Sequence, residues 1–413
     1  MRTIRLREQG TTSCRLSKTE LALLLSARRP DGHRIVSIQV RDAAEGSYDI
    51  RAGSVVGTLA LPDLQVLIKP KVDLENIFFL LGFRGGLTQW AEHRFPYESE
   101  QNFLRILAWA FDAELRRALW HGIAHDYVTR EETLVTLRGR IDMGRQIAVN
   151  QSRSIPVECR FQEYSVDIPL NQLIKAANQR LRRIPGLEGE LGRRINQISS
   201  RFSDVSDVEY SPASVPEIAF TRLNRQWEPV AQLASMILRQ EALKDETGTV
   251  MGAAFTVDMN VLFEKFIEEI VDKEASRVGL NLHPQARVRL TDRIVMRPDL
   301  VLEDANRVVA VGDAKYIELD PAEWPHANLY QLLAYCVALG LPRGLLIYAS
   351  SRSLEHHRII KADIDLEIVG IDMSGRPEHL VEQARRAAQR LITHAISEKL
   401  TKRAGLEQDR VSA

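Results

Sequence analysis

The chain has 413 residues, with 55 Lys and Arg against 55 Asp and Glu, so its formal net charge at pH 7 is zero. This balance excludes a global positive field as the basis of nucleic-acid binding, and any DNA contact has to come from local basic patches. Hydrophobic residues make up 45% and charged residues 27%, as in soluble globular proteins. The length exceeds one ordinary core, so two or three domains are expected.

The sequence contains no run of eighteen apolar residues, so no membrane-spanning segment is predicted. The N-terminal stretch MRTIRLREQGTTSC lacks the apolar region of a secretory signal. The three cysteines, Cys14, Cys159 and Cys336, fit neither a disulfide framework nor a zinc-binding spacing. We therefore expect a cytoplasmic protein with reduced thiols and no contact with a membrane.

Residues 1–95 are predicted to form a small β-rich domain. The segment GSYDIRAGSVVGTLALPDLQVLIKPKVD (46–73) contains short alternating stretches separated by Gly and Pro. This pattern is typical of a small barrel or sandwich.

Residues 96–245 are predicted to form a helical stalk that carries an extended hairpin. Apolar residues at helical spacing begin at Phe103 and indicate a long amphipathic helix. The segment EETLVTLRGRIDMGRQI (131–147) predicts an extended excursion. A strand then leads into a helix that begins near Pro169, and a last helix contains Leu223, Trp227, Val230, Leu233, Ala234 and Ile237, with Pro229 in its first turn or at a kink.

The polar segment KDETGTVMGAA (244–254) predicts a domain boundary, so residues 246–413 are expected to form a third domain. Its pattern predicts a helix, three strands, a second helix, further strands and a final helix from Pro377. The three strands are ARVRL (286–290), RIVMRPDLVLE (293–303) and RVVAVGDAKY (307–316). The turn EDANR between the last two suits an antiparallel hairpin.

The third strand ends in two opposite charges, Asp313 and Lys315, two positions apart. In an extended chain they project to the same face, together with Val309 and Val311. One interpretation is a structural ion pair at the end of a strand. Lysine is rare in this chain, with 11 among 55 basic residues. A lysine at this place therefore favours a need for a compact ammonium rather than a planar guanidinium.

Two further carboxylates complete a candidate constellation around this strand. Asp299 follows Pro298 on the strand expected to pair with the one that carries Asp313, and Glu264 lies on the helix before them. Hydrolysis of a phosphodiester at neutral pH requires a divalent metal, and Mg²⁺ prefers carboxylate, carbonyl and water oxygens. Asp299, Asp313 and the Ala314 carbonyl are candidate ligands with Glu264, and Lys315 would stabilise developing negative charge.

This constellation resembles the PD-(D/E)XK nuclease superfamily. The resemblance implies a C-terminal α/β nuclease fold, a mixed sheet flanked by helices in the order αβββαβ, with Mg²⁺ as cofactor and Mn²⁺ as a possible substitute. The stretch Gln331-Leu332-Leu333-Ala334-Tyr335 resembles the Q-x-x-x-Y helix of the RecB-like branch. That resemblance implies that Gln331 and Tyr335 lie beside the metal site and the DNA.

A narrower resemblance covers nearly the whole chain. Four stretches resemble the McrC family, the nuclease subunit of modified-cytosine-dependent McrBC restriction systems. They are VGTLALPDLQVLIKPKV (56–72), LRGRIDM (137–143), CRFQEYSVDIPLNQLIKAA (159–177) and DMNVLFEKF (258–266). In the last stretch the resemblance favours Glu264 as a metal ligand, with Asn260 beside it as a supporting residue near the DNA.

The McrC resemblance also implies a partner. McrC-like proteins pair with McrB, a ring-forming AAA+ GTPase that reads the modified base in double-stranded DNA. This sequence contains no Gly-Lys dipeptide, so no Walker A loop can be drawn and the chain fits the half without the motor. Arg138, Arg140 and Arg145 are candidates to approach the partner's nucleotide sites; alternatively they are solvated charges of the hairpin.

Two other functions stay open at this point. The chain could be a non-cleaving stalk or DNA-binding subunit that only activates the partner NTPase, or a stand-alone RecB-like nuclease. The intact set of Glu264, Asp299, Asp313 and Lys315 argues against the first. The McrC-like N-terminal half argues against the second.

Overall fold

In the computed structural model of the chain, the described residues are 2–28, 32–42, 45–61, 63–73, 76–77, 79–80, 103–150, 155–184, 187, 189–239, 242–244, 250–317, 326–351 and 354–411. The predicted boundaries at 95/96 and 245/246 lie outside these residues. No helix in these ranges combines the length and the apolar character needed to cross a bilayer.

The N-terminal region is β-rich, as the sequence predicts. Its elements are β1 (Arg2–Arg7), β2 (Thr11–Arg15), α1 (Lys18–Ser26), β3 (Val36–Asp42), β4 (Ser47–Ala52), β5 (Val55–Ala60) and β6 (Leu64–Lys69). Strands β2, β4 and β3 form an antiparallel sheet in that order. Strands β1, β6 and β5 are adjacent in a second sheet, and apolar side chains of both sheets and of α1 share one core.

Two later strands complete the second N-terminal sheet. They are β10 (Ala242–Lys244) and β11 (Val250–Asp258), and the sheet order is β1-β6-β5-β11-β10. Strand β11 pairs with β5 along its length, from Ala253 opposite Ala60 to Asp258 opposite Val55. The structure therefore differs from the predicted division of the chain, because residues 250–258 hydrogen-bond to the N-terminal sheet. Glycine and polar residues in this segment concealed a strand whose partner is about 200 residues away in sequence.

The middle region combines helices with a small sheet. Its elements are α2 (Phe103–Ala118), β7 (Asp126–Leu134), β8 (Arg140–Ile141), α3 (Met143–Asn150), β9 (Val157–Ser165), α4 (Pro169–Arg182), α5 (Glu190–Ser199) and α6 (Glu228–Leu238). Strands β7, β9 and β8 form an antiparallel sheet in that order. The predicted start of α4 at Pro169 and the first-turn position of Pro229 are both present. Leu223 precedes α6 in a turn and is 85% exposed, so it is not part of that helix.

The C-terminal region is a six-stranded mixed sheet between helices. Its elements are α7 (Met259–Arg277), β12 (Asn281–Pro284), β13 (Val288–Arg289), β14 (Val295–Met296), β15 (Leu300–Asp304), β16 (Arg307–Lys315), α8 (His326–Leu339), β17 (Arg343–Tyr348), β18 (Glu355–Ile359), β19 (Ile364–Gly370) and α9 (Pro377–Val411). The sheet order is β12-β15-β16-β17-β19-β18. Strand β16 is antiparallel to β15 and parallel to β17, with α8 as the crossover.

Helices cover both faces of this sheet. The apolar stripe of α7 is buried as the sequence predicts, and it shares a core with α9 and one face of the sheet. Leu332, Tyr335 and Cys336 of α8 pack with Val301 and Val311 on the other face. The predicted turn after β15 is present, and Ala305 and Asn306 adopt φ values of 46° and 67°, as a two-residue hairpin turn requires.

Two predicted strands of this region are divided differently in the structure. The segments 286–290 and 293–303 contribute β13 and β14, which pair only with each other, and β15 begins at Leu300. The sheet strand that pairs with β15 is instead β12, and β18 is a further strand at the opposite edge. Both are short and lie at sheet edges, where side chains are half exposed and a hydrophobic period is weak.

Strand β17 lies close against α8 because Gly344 has no side chain. A Cβ atom at Gly344 would lie 2.7 Å from Cys336 Sγ and 2.9 Å from Leu332 Cγ. We expect Gly344→Ala to lower the free energy of unfolding by about 1–3 kcal/mol, because one buried methyl group forces helix and strand apart. Urea denaturation measures this change.

Gly144→Ala is the matched control, since a Cβ there lies 3.4 Å from Asp142 Oδ1 in ordinary contact and the residue is in α3. This control should not lose stability, because alanine favours a helix over glycine. Equal losses in both variants would show that the close approach at Gly344 is not the cause.

Candidate active site

The structure brings Asp299 and Asp313 together at the end of the β15–β16 hairpin. Leu300 pairs with Gly312, so the residues just beyond this pair, Asp299 and Asp313, are cross-strand neighbours. Asp299 is 8% exposed and Asp313 is 1% exposed. Two carboxylates so deeply buried repel each other and lose hydration, so they require compensating partners.

Lys315 lies between the two carboxylates. Its Nζ is 2.7 Å from Asp313 Oδ2 and 3.3 Å from Asp299 Oδ2. Asp313 and Lys315 thus share a face, as predicted, together with Val311. Val309 does not share it, because a bulge between β15 and β16 turns Val309 toward the opposite core. The observed contact is an ion pair, which agrees with one of the two interpretations of the sequence and leaves the catalytic one untested.

One ammonium does not neutralise this site. Burial and the neighbouring Asp299 charge raise the pKa of Asp313 to about 7, although Lys315 acts in the opposite direction. Neither side-chain oxygen of Asp313 accepts a hydrogen bond of ordinary geometry among the described residues. For Lys315, burial lowers the pKa, but the charges of Asp313 and Asp299 outweigh burial and raise it. Lys315 is therefore held as an ammonium at neutral pH.

Glu264 approaches the pair from helix α7. Burial, together with the Asp299 charge, raises the pKa of Glu264 to about 7, while Lys315 lowers it. Glu264 therefore lies within electrostatic range of Asp299 and Lys315. The described ranges nevertheless contain no group of three His, Cys, Asp or Glu side chains spaced to hold one metal ion. The structure thus pairs Asp299 with Asp313 and keeps Glu264 at a greater distance.

The residues present fit a hard divalent cation. The donors are carboxylates, and the buried Asp313 Oδ1, which accepts no hydrogen bond among the described residues, is the kind of group that an ion satisfies. Burial, and after it the Asp299 charge, raises the pKa of both Asp313 and Glu264, and a bound cation would favour their ionised forms. Asp299, Asp313 and Glu264 are the residues that would hold Mg²⁺.

Gln331 and Tyr335 lie beside this pair, on α8. Gln331 Nε2 donates a hydrogen bond of 2.7 Å to Tyr335 Oη, which in turn is 3.5 Å from the Arg297 carbonyl oxygen. Arg297 precedes Pro298-Asp299, so these side chains support the chain that carries Asp299. Burial raises the pKa of Tyr335, and the Asp313 charge raises it further, which places the phenol within range of the carboxylates.

Asn260 has a structural contact at the start of α7. Its backbone N–H and its side-chain Nδ2 both donate to Asp258 Oδ1, at 2.9 Å and 3.1 Å. Asp258 is the N-cap of this helix. The structure therefore places Asn260 in the cap of the helix that carries Glu264, and its expected closeness to DNA stays a prediction.

Gln285 is a site residue that the sequence analysis missed. Its side-chain Nε2 donates a hydrogen bond to Asp299 Oδ1, and its backbone N–H donates to the Asp299 carbonyl at 3.3 Å. The Ala314 N–H donates to the other oxygen, Asp299 Oδ2, at 3.0 Å. Gln285 reaches this position with a φ of 51° just after β12. The sequence signal was Pro284 before a polar residue, which is too common to single out.

The N-terminal domain also contacts this site. Glu8 is 2% exposed and accepts hydrogen bonds from the Lys71 N–H at 3.1 Å and from Tyr316 Oη at 3.3 Å. Tyr316 follows Lys315 directly, and its ring lies 6.1 Å from that of Phe263, the neighbour of Glu264. The carboxyl group of Glu8 therefore links the β-rich domain to both elements that carry site residues.

Two of the three candidate arginines of the hairpin are paired within it. Arg138 lies 4.0 Å over the Phe161 ring and 3.2 Å from Glu163, and Arg145 lies 3.0 Å from Glu131. Arg140 is exposed, and no acidic side chain of the described ranges lies within ion-pair distance of it. Arg140 is therefore the candidate that remains available to a partner.

The raised pKa of Asp313 predicts how stability depends on pH in the absence of divalent cations. Between about pH 4 and pH 7 the unfolded chain loses the Asp313 proton while the folded chain keeps it, so the free energy of unfolding falls as pH rises. Asp313→Asn removes the titrating carboxyl group, and with it the loss of folding stability as pH rises. We expect the variant to gain stability relative to the unsubstituted chain, by on the order of 2 kcal/mol, between pH 5 and pH 8.

Thermal and urea unfolding in EDTA across this pH range measure the effect. Asp365→Asn is the control, because Asp365 lies at the surface, 34% exposed and paired with Arg358. A difference between Asp313→Asn and the unsubstituted chain that does not change with pH would contradict the expected excess of charge.

Comparison with known proteins identifies the family. Residues 50–349 match the family described as McrBC 5-methylcytosine restriction system component. The chain is 20% identical over 340 residues to the type IV methyl-directed restriction enzyme EcoKMcrBC of Escherichia coli (strain K12), covering 74% of this chain and 94% of that protein.

A solved structure extends the similarity to the fold of nearly the whole chain. It is described as a refined half-complex from a tetradecameric assembly of Thermococcus gammatolerans McrB AAA+ hexamers with bound McrC. The matched chain has a TM-score of 0.60 and 19% sequence identity, with coverage of 94% of this chain and 99% of that chain. From the family match over residues 50–349, the chain belongs to the McrBC 5-methylcytosine restriction system components.

Proposed function

We propose that this chain is the McrC-like nuclease subunit of its restriction system and cleaves DNA phosphodiesters with Mg²⁺. The observation that carries the proposal is the buried pair of Asp299 and Asp313 around the Lys315 ammonium at the end of a strand hairpin. The mixed sheet between helices supports assignment of the C-terminal region to the PD-(D/E)XK nucleases. The element order along the chain, with α8 as a crossover beside the site, agrees with that fold class.

The assignment to the McrC-like subunit depends on the sequence. The related assembly contains McrB and McrC together, and its description alone does not decide between them. The motor requires a phosphate-binding loop with a Gly-Lys pair, and this sequence has no such dipeptide. The carboxylate pair and the missing loop therefore both favour the nuclease subunit over the GTPase.

The site residues would divide the chemistry as follows. A bound Mg²⁺ would supply activation of water and neutralisation of charge on the phosphate. Asp299 and Asp313 would bind it as hard anionic ligands, and Gln285 and the Ala314 N–H hold the Asp299 carboxylate in place. Lys315 stays protonated because two carboxylates face it. It therefore acts as a positive charge that stabilises the negative charge that develops on the phosphate, and not as a proton acceptor.

The hairpin of the middle region is the surface we propose for the AAA+ partner ring. Apolar side chains that face solvent cluster there, and they are Val135 at 77% exposure, Leu137 at 53%, Ile141 at 41%, Met143 at 61%, Ile147 at 59% and Val149 at 61%. Exposed apolar residues in one segment are typical of an interaction site. The hairpin is also separate in sequence from the carboxylates, so partner stimulation and cleavage are assigned to different parts of the chain.

A non-cleaving subunit that only stimulates the partner is the second candidate function. The ion-pair geometry of Lys315 is compatible with it, since a buried ion pair can be purely structural. Burial and the Asp299 charge raise the pKa of both Asp313 and Glu264. This crowding of carboxylates favours the nuclease, because a structural ion pair of Lys315 and Asp313 needs neither Asp299 nor Glu264 beside it. A stand-alone nuclease is disfavoured because the family match extends through the middle region, to residue 50.

Cleavage by the reconstituted complex tests this proposal. Asp299→Asn and Asp313→Asn should abolish cleavage and weaken Mg²⁺ binding, because each removes an anionic oxygen. Lys315→Ala should leave the metal bound but reduce the cleavage rate at least about a hundredfold. Lys315→Arg should not restore it, since a guanidinium does not fit the position of an ammonium.

The control measurement for these variants is nucleotide hydrolysis by the partner, assayed with both GTP and ATP. All four variants should still stimulate it, because that role belongs to the hairpin. Near-normal cleavage by Lys315→Ala would show that Lys315 forms a structural ion pair only. It would favour the non-cleaving subunit as the function of this chain.

Arg140 gives a separate test of the partner surface. Arg140→Ala should reduce stimulation of the partner's nucleotide hydrolysis about tenfold or more, because this exposed guanidinium is available to stabilise charge at a nucleotide site. Arg138→Ala is the matched control, since Arg138 is held over Phe161 and by Glu163. Equal losses in both variants would indicate a general effect of hairpin charge or folding. In that case Arg140 would have no specific role.

A further inference from the structure

The N-terminal domain contains a cavity away from the carboxylate pair. Its volume is about 440 Å³, and it is widely open to solvent. The lining residues are Gln9, Arg34, Ile35, Ser37, Arg51, Ala52, Gly53 and Ser54. Among the described residues of the lining are two arginines, two serines and a glutamine, and none of these described residues is acidic. This composition favours an anionic ligand.

The two arginines of the cavity differ from others in the same domain. Arg2 pairs with Glu20 at 3.0 Å and Arg15 with Glu45 at 2.9 Å, while Arg41 donates to Ser13 at 2.7 Å. For Arg34 and Arg51, no acidic side chain of the described ranges lies within ion-pair distance. Both side chains are exposed on the lining of one concavity, so an anion bound there could accept hydrogen bonds from both guanidinium groups.

Hydrogen bonds connect the cavity wall to the candidate active site. The Ser54 carbonyl accepts from the Met259 N–H at 2.9 Å, at the first residue of the helix that carries Glu264. Ser54 Oγ also accepts from Gln9 Nε2 at 3.0 Å, and Gln9 follows Glu8, which contacts Tyr316. The cavity therefore borders the junction of the two domains. Glu264 lies five residues into the helix, about 7.5 Å along its axis from Met259.

The charge of the domain favours nucleic acid as the source of the anion. Residues 1–73 contain 12 Arg and Lys against 8 Asp and Glu, in a chain whose net charge is zero. A local excess of this kind is the patch that DNA contact requires when the whole chain has no positive field. The family acts in a 5-methylcytosine restriction system, so DNA is the polyanion that this chain has to meet.

We propose that the cavity between Arg34 and Arg51 binds a phosphate group of the DNA backbone, as a second contact apart from the carboxylate site. The inference rests on the proposed nuclease function, since the same DNA would extend from the cavity toward Asp299 and Asp313. Arginine suits this role because its planar group donates two parallel hydrogen bonds to a phosphate. The cavity thus holds the DNA at a fixed distance from the scissile bond.

DNA binding by the full chain tests this proposal without cleavage. The affinity for a labelled DNA duplex is measured by fluorescence anisotropy in EDTA at several salt concentrations. The double variant Arg34→Ala with Arg51→Ala should bind about tenfold more weakly or worse, and the slope of log affinity against log salt should fall by about 1 to 2. Arg34→Lys with Arg51→Lys should retain a larger share of the affinity, because it keeps both charges.

The matched control is the double variant Arg2→Ala with Arg15→Ala. It removes the same charge from the same domain, but from residues paired with Glu20 and Glu45. Its affinity should change less than about threefold. Equal losses in both doubles, or an unchanged affinity after the cavity substitutions, would overturn the proposal. Thermal melting of each variant confirms that it is folded.

Two further outcomes separate other ligands from DNA. If the cavity double loses binding of inorganic phosphate but keeps that of DNA, the site takes a small anion and the DNA assignment is wrong. If the cavity double variant still binds phosphate and DNA but no longer binds the AAA+ partner, the cavity binds an acidic protein surface. The DNA assignment is then also wrong. Because the assay contains no metal, a failure of the proposed nuclease chemistry leaves its result unchanged.

Discussion

A single lysine between two buried carboxylates is the constraint on which the rest of the C-terminal region depends. Asp299 and Asp313 are brought together by the register of β15 and β16, and Lys315 is a cation within ion-pair distance of both. The compact ammonium lies 2.7 Å from Asp313 Oδ2 and 3.3 Å from Asp299 Oδ2. A guanidinium would need a wider, planar space. Burial makes the arrangement unfavourable as an isolated structural feature, since desolvation outweighs what one ion pair returns.

The hydrogen-bond donors around the pair contact mainly Asp299. Gln285 reaches it from the end of β12, the Ala314 N–H from β16, and Tyr335 contacts the carbonyl of Arg297 two residues before it. Asp313 receives no comparable hydrogen bonds in the described ranges. The two carboxylates therefore differ in character: Asp299 is fixed by protein hydrogen-bond donors, whereas Asp313 has the Lys315 ammonium 2.7 Å from its Oδ2 and keeps Oδ1 for an external cation. A fixed ligand beside an unsatisfied one is a physical basis for binding a metal.

The sequence predicted the local features of this site well, because each of them depends on residues that are close together in the chain. The spacing of Asp313 and Lys315, the turn after β15, the buried stripe of α7 and the start of α4 at Pro169 all follow from one or two turns of chain. The features it could not predict depend on distant partners. Strand β11 joins a sheet in which three other strands, β1, β5 and β6, lie within residues 2–69, and the bulge that turns Val309 away from Val311 is set by pairing with β15. Gln285 became recognisable as a site residue only when its φ of 51° and its contact with Asp299 were known.

The path of the chain from β11 to α7 makes the N-terminal sheet part of the active-site scaffold. Strand β11 ends at Asp258, whose side chain caps α7, and Glu264 lies less than two turns further along the same helix. Glu8, which follows β1 of the same sheet, accepts a hydrogen bond from Oη of Tyr316, the residue after Lys315. The apolar stripe of the same helix is buried against α9 and one face of the C-terminal sheet. The position of Glu264 is therefore set from both sides, by the Asp258 cap that continues from the N-terminal sheet and by packing on the sheet that carries Asp313. The described conformation does not gather the three carboxylates into one metal-binding group.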